Sequence, residues 1–197
     1  GSLVNGPVYD SDNCGSLVFD GVDDSGIASN PLLENEFSIS SWIYPINVST
    51  GVGRIVASTY QWSGGGTNQR GWTFGINYGV GESFYFRVYN NVGAYVTCYR
   101  YNLWRDHANS WVYLTGIYSE SQDTLYLYEN FDLHDSKPLN SLVMENSSFG
   151  LGISRRIDSA SQGLWSGNIS NVKIYNRALS QAEVTQNFKA LKGRYGL

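Results

Sequence analysis

The sequence predicts an all-β fold in one large domain, and three observations support that class. Aromatic residues make up 15% of the chain, charged residues only 15%, and 22 of the 197 residues are glycine. Tyrosine and tryptophan favour strands, whereas glycine favours the turns between them. Short apolar runs separated by Gly- and Asn-containing segments recur along the chain, as in antiparallel sheets. A chain of this length can bury a substantial core.

The charge pattern argues against two classes of partner. The net charge is −4, and no run of lysine or arginine occurs. Nucleic acid and anionic membrane surfaces are therefore not expected as main partners. No apolar run is long enough to span a bilayer, so we expect no membrane insertion.

The apolar runs of the N-terminal half predict short strands joined by turns. A first strand is expected around residues 7–9, and the apolar run 17–19 meets an Asp-Gly turn. In the strand Phe37–Pro45, apolar side chains alternate between the two faces until the proline ends it. By the same criteria, further strands are predicted at residues 53–59, 71–77, 83–89 and 94–99, the last three as an antiparallel meander.

The C-terminal half predicts a hairpin, two further strands and one helix. The runs 111–118 and 124–128 flank a polar turn, and residues 151–153 form a short strand. The strand Ile169–Tyr175 alternates, with Ser170, Val172 and Ile174 on one face. At the end of the chain, the following helix is predicted from a capping box, Ser180 with Glu183, and from Gly193 as its terminating residue.

Four of these segments resemble one known family. Phe19-Asp20-Gly21, with Asp23 and Asp24, resembles the FDG-x-D-D entry strand of LamG-like domains, and residues 37–45 resemble their next core strand. The predicted hairpin resembles the family's central hairpin, and the stretch 163–188 resembles its closing strand, turn and helix. Over residues 15–192 the chain is therefore similar to laminin G-like type 3 domains of the concanavalin A-like lectin/glucanase superfamily.

The resemblance implies an all-β, two-sheet antiparallel jelly-roll sandwich with one short C-terminal helix, as a single domain over residues 1–197. Two departures occur in the hairpin, where Tyr113 replaces the usual histidine and Glu129-Asn130-Phe131 replaces the Asn-Gly type turn. The C-terminal end looks most like LamG-like domains of phage and other viral structural proteins. The same sandwich carries lectins, glycosidases and adhesion modules, so the resemblance specifies function poorly.

The acidic residues do not predict an enzyme. Glycoside hydrolases need two carboxyl groups that face each other across the scissile bond. The glucanase branch of the superfamily carries them on one strand as Glu-x-Asp-x-x-Glu, which is absent here, as are the common nucleophile, metalloprotease and phosphate-binding motifs. The nearest pairs, Glu34 with Glu36 and Glu129 with Asp132, lie before a strand and in a turn. We therefore predict no catalysis.

Three carboxylates in one turn allow two interpretations. Asp20, Asp23 and Asp24 lie within five residues beside glycine, and clustered hard oxygen ligands suit Ca²⁺. Related lectin and LamG-like domains often carry calcium, which implies a structural ion here. The alternative is an Asx-turn in which Asp20 caps the backbone and the other two carboxylates face water.

Two loops have the residue types of a carbohydrate site. They span residues 60–72, which include three consecutive glycines, and residues 101–109. Sugar sites combine exposed aromatic rings with amide, carboxylate or guanidinium groups, and glycine lets a ligand approach closely. Alternatively, the tryptophans at 72 and 104 pack the ends of the sandwich. The predicted ligand-binding residues are Tyr60, Trp62, Asn68, Arg70, Trp72, Trp104, Arg105 and Asp106.

A further polar set follows two of the predicted strands. It lies opposite the apolar positions of those strands. It forms either one binding surface or the solvent-exposed face of an amphipathic sheet. Its members are Tyr85, Arg87, Tyr89, Tyr126 and Tyr128.

The two cysteines, Cys14 and Cys98, leave two states open. A disulfide between them would close a long loop and imply an oxidising compartment. Two independent buried thiols are slightly favoured, because Cys98 lies in a predicted strand.

Two functional hypotheses follow. The first is a non-catalytic, lectin-like glycan-recognition or adhesion module of a virion or secreted surface protein, located extracellularly or on the virion surface, with carbohydrate as partner. The second is a structural or decoration protein that packs through the sandwich, as a homo-oligomer or with virion subunits, and binds no sugar. A polysaccharide hydrolase is the least favoured, because no catalytic pair is present.

Overall fold

The computed structural model describes residues 1–12, 15–46, 54–62, 69–77, 83–159 and 161–197. Strands dominate these residues, and short helices follow β10 and β15. In chain order the strands are β1 (Ser2–Val4), β2 (Val8–Asp10), β3 (Ser16–Asp20), β4 (Ser25–Ala28), β5 (Glu36–Pro45), β6 (Arg54–Ser58), β7 (Gln61–Trp62), β8 (Gln69–Asn77), β9 (Ser83–Tyr89), β10 (Tyr95–Arg100), β11 (Val112–Ser119), β12 (Thr124–Glu129), β13 (Asp132–Pro138), β14 (Leu151–Ile153) and β15 (Ser166–Tyr175). The helices are α1 (Leu103–His107) and α2 (Gln181–Leu191), and α2 continues into a 3₁₀ turn (Lys192–Tyr195).

The strands form two antiparallel sheets that pack face to face. The first sheet has the order β1-β4-β14-β6-β8-β9-β10, with β7 paired to β8, and the second has the order β13-β12-β11-β5-β15-β3-β2. The predicted jelly-roll sandwich is confirmed. The turn between β3 and β4 carries the chain from the second sheet to the first, so the aspartates of that turn lie at one end of the sandwich.

The core lies between the sheets and comes from the inward side chains of both. Phe37, Ile39 and Ile43 of β5 are fully buried in it, as their alternation predicts. From the first sheet, Phe84 and Phe86 pack against the same cluster. Because successive side chains of a strand point to opposite faces, the residues between these positions must lie on the outer surfaces.

The predicted meander is confirmed, and the structure has four strands beyond the predicted set: β1, β4, β7 and β13. Strands β8, β9 and β10 are consecutive neighbours in the first sheet, with Tyr89 opposite Tyr95 across the β9–β10 turn. The longest of the four additional strands, β13, pairs with β12 at the edge of the second sheet. Most of its residues are exposed and polar, so the apolar alternation that identifies a half-buried strand is absent.

Strand β15 departs from the predicted alternation at a bulge. Asn171 adopts a left-handed conformation with φ of 54°, and the pairing with β5 shifts between Ser170 and Lys173. Ile169 before the bulge and Val172 after it therefore both pack on the main core, although they are an odd number of residues apart. The prediction that these two residues lie on opposite faces was wrong for this reason.

Helix α2 covers part of the outer face of the second sheet. Its capping box is confirmed: the Ser180 hydroxyl accepts from the Glu183 backbone N–H, and the Glu183 carboxylate accepts from Ser180. The predicted termination at Gly193 was wrong, because the chain continues as a 3₁₀ turn and Gly196, with φ of 77°, follows it. In the described parts of the chain, neither helix has the length and apolar character needed to cross a membrane.

Candidate functional site

The turn after β3 is organised by the side chain of Asp20. Its Oδ1 accepts hydrogen bonds from the backbone N–H groups of Val22 (2.8 Å), Asp23 (3.3 Å) and Asp24 (3.5 Å). These bonds, led by the one from Val22, lower the pKa of Asp20. In return, Asp24 Oδ2 accepts from the Asp20 N–H at 3.1 Å, and burial raises the pKa of Asp24. Asp20 therefore caps the backbone as in the Asx-turn interpretation, and Asp23 is exposed, but the expectation that Asp24 faces water was wrong, because Asp24 is buried and accepts from the backbone.

The calcium interpretation concerns the same three carboxylates. One oxygen from each of Asp20, Asp23 and Asp24 lies within 4.8 Å of the others. A buried cation is already close: a β-carbon added at Gly21 would lie 2.7 Å from Nη1 of Arg54, whose side chain is buried against the Leu164 carbonyl.

A strip of aromatic side chains lies on the outer face of the first sheet. In β9 the inward Phe84, Phe86 and Val88 alternate with outward residues, and β10 pairs with β9 in a register that brings the outward residues of both strands side by side. Tyr60 adds its ring at the β9 end, 4.8 Å from the ring of Tyr89. We call this set the outer strip: Tyr60, Tyr85, Arg87, Tyr89, Tyr95 and Tyr99.

Arg87 lies at the centre of the outer strip and is held by hydroxyl groups. Its Nε donates to the Thr97 Oγ1 at 2.7 Å, and its Nη2 donates to the Tyr99 hydroxyl at 3.1 Å. Its Nη1 donates to the Tyr89 hydroxyl at 3.3 Å. These three bonds fix the plane of the guanidinium, which remains half-buried.

Three tyrosine rings surround the same guanidinium. The Arg87 Cζ lies 4.4 Å from the ring centroid of Tyr95, 5.2 Å from that of Tyr85 and 5.8 Å from that of Tyr89. These are cation–π distances. Burial raises the pKa of both Tyr85 and Tyr89, so these phenols are neutral at physiological pH.

A second arginine links the outer strip to the exposed Trp62. The Arg156 guanidinium lies 4.8 Å from the ring centroid of Tyr60, and it forms two hydrogen bonds to Asp158. Asp158 Oδ2 also accepts from the backbone N–H of Trp62 at 2.9 Å. Trp62 itself keeps 53% of its surface exposed, so its ring is available to a ligand. Burial raises the pKa of Tyr60 to about 12.

The structure changes the roles expected for two of the predicted tryptophans. Trp72 is fully buried in the main core, where its ring lies 5.9 Å from that of Phe37. Trp104 is also buried, edge-to-face against Trp165 at 6.2 Å. Neither ring can present a face to a ligand, so the packing alternative applies to both. The predicted residue Asn68 lies outside the described residues.

Three other predicted residues make contacts outside the outer strip. Arg70 is half-buried on β8, opposite Gln61. Arg105 is exposed on α1, and its Nε donates to Asp106, which also accepts from Arg100 at 2.8 Å. Arg105 and Asp106 therefore contact each other and, through Arg100, the end of β10.

Tyr101 joins the second loop to the outer strip. It precedes α1, and its ring stacks on Tyr99 at 5.6 Å with an interplanar angle of 22°. Its surface is 53% exposed. The two loops identified in the sequence therefore reach the same outer face, one through Trp62 and the other through Tyr101.

The polar set predicted on β9 and β12 does not form one surface. Tyr85, Arg87 and Tyr89 lie on the outer face of the first sheet, whereas Tyr126 and Tyr128 belong to the second sheet. Tyr128 is buried under α2 in a small apolar cluster, and Tyr126 packs against that cluster. The two groups are separated because β9 and β12 are on opposite sides of the core.

The pairs considered for catalysis are engaged in other contacts. Glu129 accepts from Arg100 and from His107 Nε2. Glu36 accepts from Ser119 at 3.0 Å and from Ser121. Carboxylates held in this way fix neighbouring elements to each other.

Sequence reasoning missed several members of the outer face. The sequence pattern places three of them, Tyr95, Thr97 and Tyr99, only within a strand. The turn at residues 90–93, which contains asparagine and glycine, sets their pairing with the β9 residues. Arg156 and Asp158 carry no sequence signal, because a contact between distant loops brings them beside Tyr60. The register of the meander was the signal that could have located the centre of the site.

Comparisons with known proteins agree with this architecture. The Laminin_G_3 family model, of the Concanavalin A-like lectin/glucanases superfamily, matches residues 19–185. A search of curated proteins found no match. Similar solved structures include the binding domain of Paraclostridial Mosquitocidal Protein 1, with a TM-score of 0.73 and 17% identity, and the Botulinum Neurotoxin serotype G binding domain, with 0.73 and 15%. A third is the Botulinum neurotoxin serotype D ligand binding domain in complex with N-Acetylneuraminic acid, with 0.73 and 15%.

These likenesses concern the fold. Each alignment covers 96% of this chain but only 47%, 46% and 45%, respectively, of the solved chains, so this chain spans less than half their length. The family match extends over most of the sequence, from the end of β3 into α2. The chain therefore belongs to the Laminin_G_3 family of the concanavalin A-like lectin/glucanases superfamily.

Proposed function

We propose that this protein is a non-catalytic carbohydrate-recognition and adhesion module that binds its ligand on the outer face of the first sheet. The observation that carries the proposal is the outer strip, where the exposed ring of Tyr95 lies against a fixed guanidinium, together with the exposed rings of Trp62 and Tyr101 beside the strip. Tyr95, Trp62 and Tyr101 are each more than half exposed. Aromatic faces bind the apolar C–H faces of sugar rings, and the adjacent hydroxyl and guanidinium groups supply directional hydrogen bonds.

The family and the similar binding domains support this class of function. Fold alone does not assign a ligand, so the argument rests on the side chains of the outer strip. One of the similar structures is described as a ligand binding domain in complex with N-Acetylneuraminic acid. We extend the proposal to an extracellular or virion-surface location, on a virion or a secreted surface protein.

Absence of catalysis is part of the proposal. A glycosidase would need two carboxyl groups facing one cleft. Two of the described carboxylates lie beside the outer strip, and both are engaged: Asp135 accepts from the Tyr99 backbone N–H and pairs with Lys137, and Asp158 accepts from Arg156 and from the Trp62 backbone N–H. This arrangement positions side chains without offering an acid and a nucleophile.

A labelled-protein glycan array tests the proposal. We expect binding to at least one class of glycan, and we expect Tyr95→Ala and Trp62→Ala to weaken it. The matched control is Tyr9→Ala, because Tyr9 is an equally exposed tyrosine on β2 of the second sheet. An array without hits, or equal loss in all three variants, would contradict carbohydrate recognition at this face.

A structural or decoration role is the second candidate. The specific observation that favours it is a set of exposed apolar side chains near the N-terminal strands, Leu3, Val8 and Tyr9, with exposures of 56%, 63% and 66%. Such residues suit packing against another subunit. Light scattering after size exclusion measures the oligomeric state, and a concentration-independent monomer would argue against self-association through them.

A further inference from the structure

The charge of Arg87 is not balanced by a carboxylate in the described part of the chain. Its hydrogen-bond partners are three hydroxyl groups, and its ring contacts are with three tyrosines. Other arginines with comparable burial differ: Arg100 pairs with Glu129 and Asp106, and Arg156 pairs with Asp158. Desolvating a cation without an opposite charge is costly, so such a group is usually kept for a ligand.

The guanidinium also has unused donors. Arginine carries five N–H donors, and the contacts to Thr97, Tyr89 and Tyr99 use three of them. The two that remain are on Nη1 and Nη2. A planar fork of this kind matches the two oxygens of a carboxylate, and its three hydroxyl contacts hold it ready for binding.

An apolar contact surface lies directly beside these donors. The ring of Tyr95 lies against the Arg87 guanidinium, yet 54% of the Tyr95 surface remains exposed. A ligand whose charged group reached Arg87 would therefore place its neighbouring atoms on Tyr95. A saccharide that carries a carboxylate on its ring has this combination of an anionic group and an apolar face.

We infer that the outer strip recognises an acidic saccharide, with the sugar carboxylate bound by Arg87 and the sugar ring packed on Tyr95. This inference rests on the proposed function and adds the class of ligand. Both uronic acids and sialic acids present such a carboxylate. The chain has a net charge of −4, so attraction to the ligand comes from this local cation and not from the protein as a whole.

Binding of four defined probes to the whole chain, measured by titration calorimetry, tests the inference. Trigalacturonic acid carries the carboxylate on a uronic acid, and sialyllactose carries it on a sialic acid. Their carboxyl methyl esters keep the same sugars without the charge. We expect at least one acid to bind about tenfold or more tightly than its own ester, because a charge-assisted bidentate contact is lost. The acid that shows the difference identifies the source of the carboxylate.

Variants assign the difference to Arg87. In Arg87→Met the preference for the acid over its ester should disappear, and in Arg87→Lys it should be partly kept, because the charge remains but the fork is lost. Arg105→Met tests the exposed arginine on α1 that the sequence predicts to bind ligand, and the matched control is Arg177→Met, which removes an exposed arginine beside α2, on the side of the second sheet. The melting temperature of each variant is measured alongside, and the ester comparison on the unmodified protein needs no variant.

The outcomes separate this inference from the function on which it rests. Equal binding of acid and ester, lost in Tyr95→Ala, would overturn the carboxylate at Arg87 and leave carbohydrate recognition intact. Preference for the acid that survives in Arg87→Met but is lost in Arg105→Met would overturn the assignment to Arg87. If neither the acids nor the esters bind, and the glycan array is also empty, both proposals fail.

Discussion

Asp20 shows how one side chain can settle the conformation of a turn. Its carboxylate caps three successive backbone N–H groups, and Arg54 lies beneath the turn at Gly21. The acidic pattern that suggested calcium is therefore also explained by backbone capping. The two interpretations make different predictions for the same substitution.

The first prediction concerns Asp20→Asn and Asp20→Ala. An asparagine keeps an acceptor oxygen at the position of Oδ1, so we expect a loss of less than about 1 kcal/mol in the free energy of unfolding. An alanine leaves three N–H groups without this acceptor, and we expect a loss of about 1–2 kcal/mol. Urea unfolding monitored by circular dichroism measures both values.

A thermal melt in excess EDTA, repeated after Ca²⁺ is added back, distinguishes backbone capping from a calcium site. Capping predicts no change in the melting temperature of the wild-type chain. A rise that follows the calcium concentration, and that is abolished in Asp20→Asn, would establish a metal site instead, because a bound ion stabilises the native state by mass action.

At the scale of elements, Glu129 connects three parts of the sandwich edge. It belongs to β12, and it accepts from Arg100 at the end of β10 and from His107 of α1. Although burial raises its pKa, the hydrogen bonds from His107 and Arg100 lower the pKa of Glu129 to about 2. The Glu129 contacts therefore fasten β10, the edge strand of the first sheet, to β12 of the second sheet.

The second prediction is a pH dependence that comes from Glu129. Its folded pKa, about 2, lies below its ordinary value of 4.5, so its stabilisation is fully present above pH 4.5 and is lost as the pH falls from 4.5 to 2. At full strength the difference between 4.5 and about 2 corresponds to about 3 kcal/mol, and solvent screening of this half-buried group reduces the expected contribution to about 1–2 kcal/mol. We expect Glu129→Gln to be less stable at pH 7 and to lose less stability on acidification.

Urea unfolding at a series of pH values measures this dependence. Glu145→Gln is the matched control, because Glu145 is exposed. If the stability of Glu129→Gln fell with pH as steeply as that of the wild type, another carboxylate would be responsible.

The C-terminal helix is attached to the second sheet through Trp42. The Trp42 ring is fully buried, stacked on Tyr195 at 4.1 Å and on Phe188 at 5.7 Å. Tyr195 is fixed in turn by hydrogen bonds with Ser170 and Asn171, the residues of the β15 bulge. The bulge therefore helps to hold the helix on the sheet, because two polar groups of the bulge bond to Tyr195, in the 3₁₀ turn that follows the helix.

The third prediction concerns Phe188→Ala. Removing a buried phenylalanine ring from this stack should cost about 3–5 kcal/mol and expose Trp42 to water. We expect a lower urea midpoint and a red-shifted tryptophan emission in the native state. Lys189→Ala, an exposed neighbour on the same helix, should change the midpoint little. Equal effects of the two substitutions would show that the stack does not hold the helix.

The elements that could be predicted are those with a local signal. The capping box of Ser180 and Glu183 predicts where α2 begins. The alternation of apolar residues in β5 predicts which of them are buried. The bulge at Asn171 could not be predicted, because it depends on how β15 pairs with β5. For the same reason Trp72 was assigned to a loop surface, although its position within β8 points it into the core.

The candidate site was only partly predictable. The sequence indicated two aromatic loops and a tyrosine-rich strand, and the structure brings these together on one face. What could not be predicted is the centre of that face, because Arg87, Thr97 and Tyr99 meet through the register of two strands. The link from Tyr60 to Arg156 depends on the path of a distant loop.

At the scale of the whole molecule, the fourth prediction is one cooperative unfolding transition. The main core is lined by residues of both sheets, so neither sheet keeps its buried face without the other. Urea curves from tryptophan fluorescence and from circular dichroism should therefore coincide, as a single-domain chain requires. Two separated transitions would contradict the assignment of residues 1–197 to one domain.

The two outer faces of the sandwich are unequal, since α2 covers part of one and the other carries the outer strip. If the outer strip binds carbohydrate as proposed, each molecule contributes one point of attachment on that face. Contacts of that kind are individually weak, and strong adherence would come from many copies displayed side by side with the same face outward. Under that arrangement the number and spacing of copies, more than the affinity of any one of them, would determine how firmly the parent particle or surface is held.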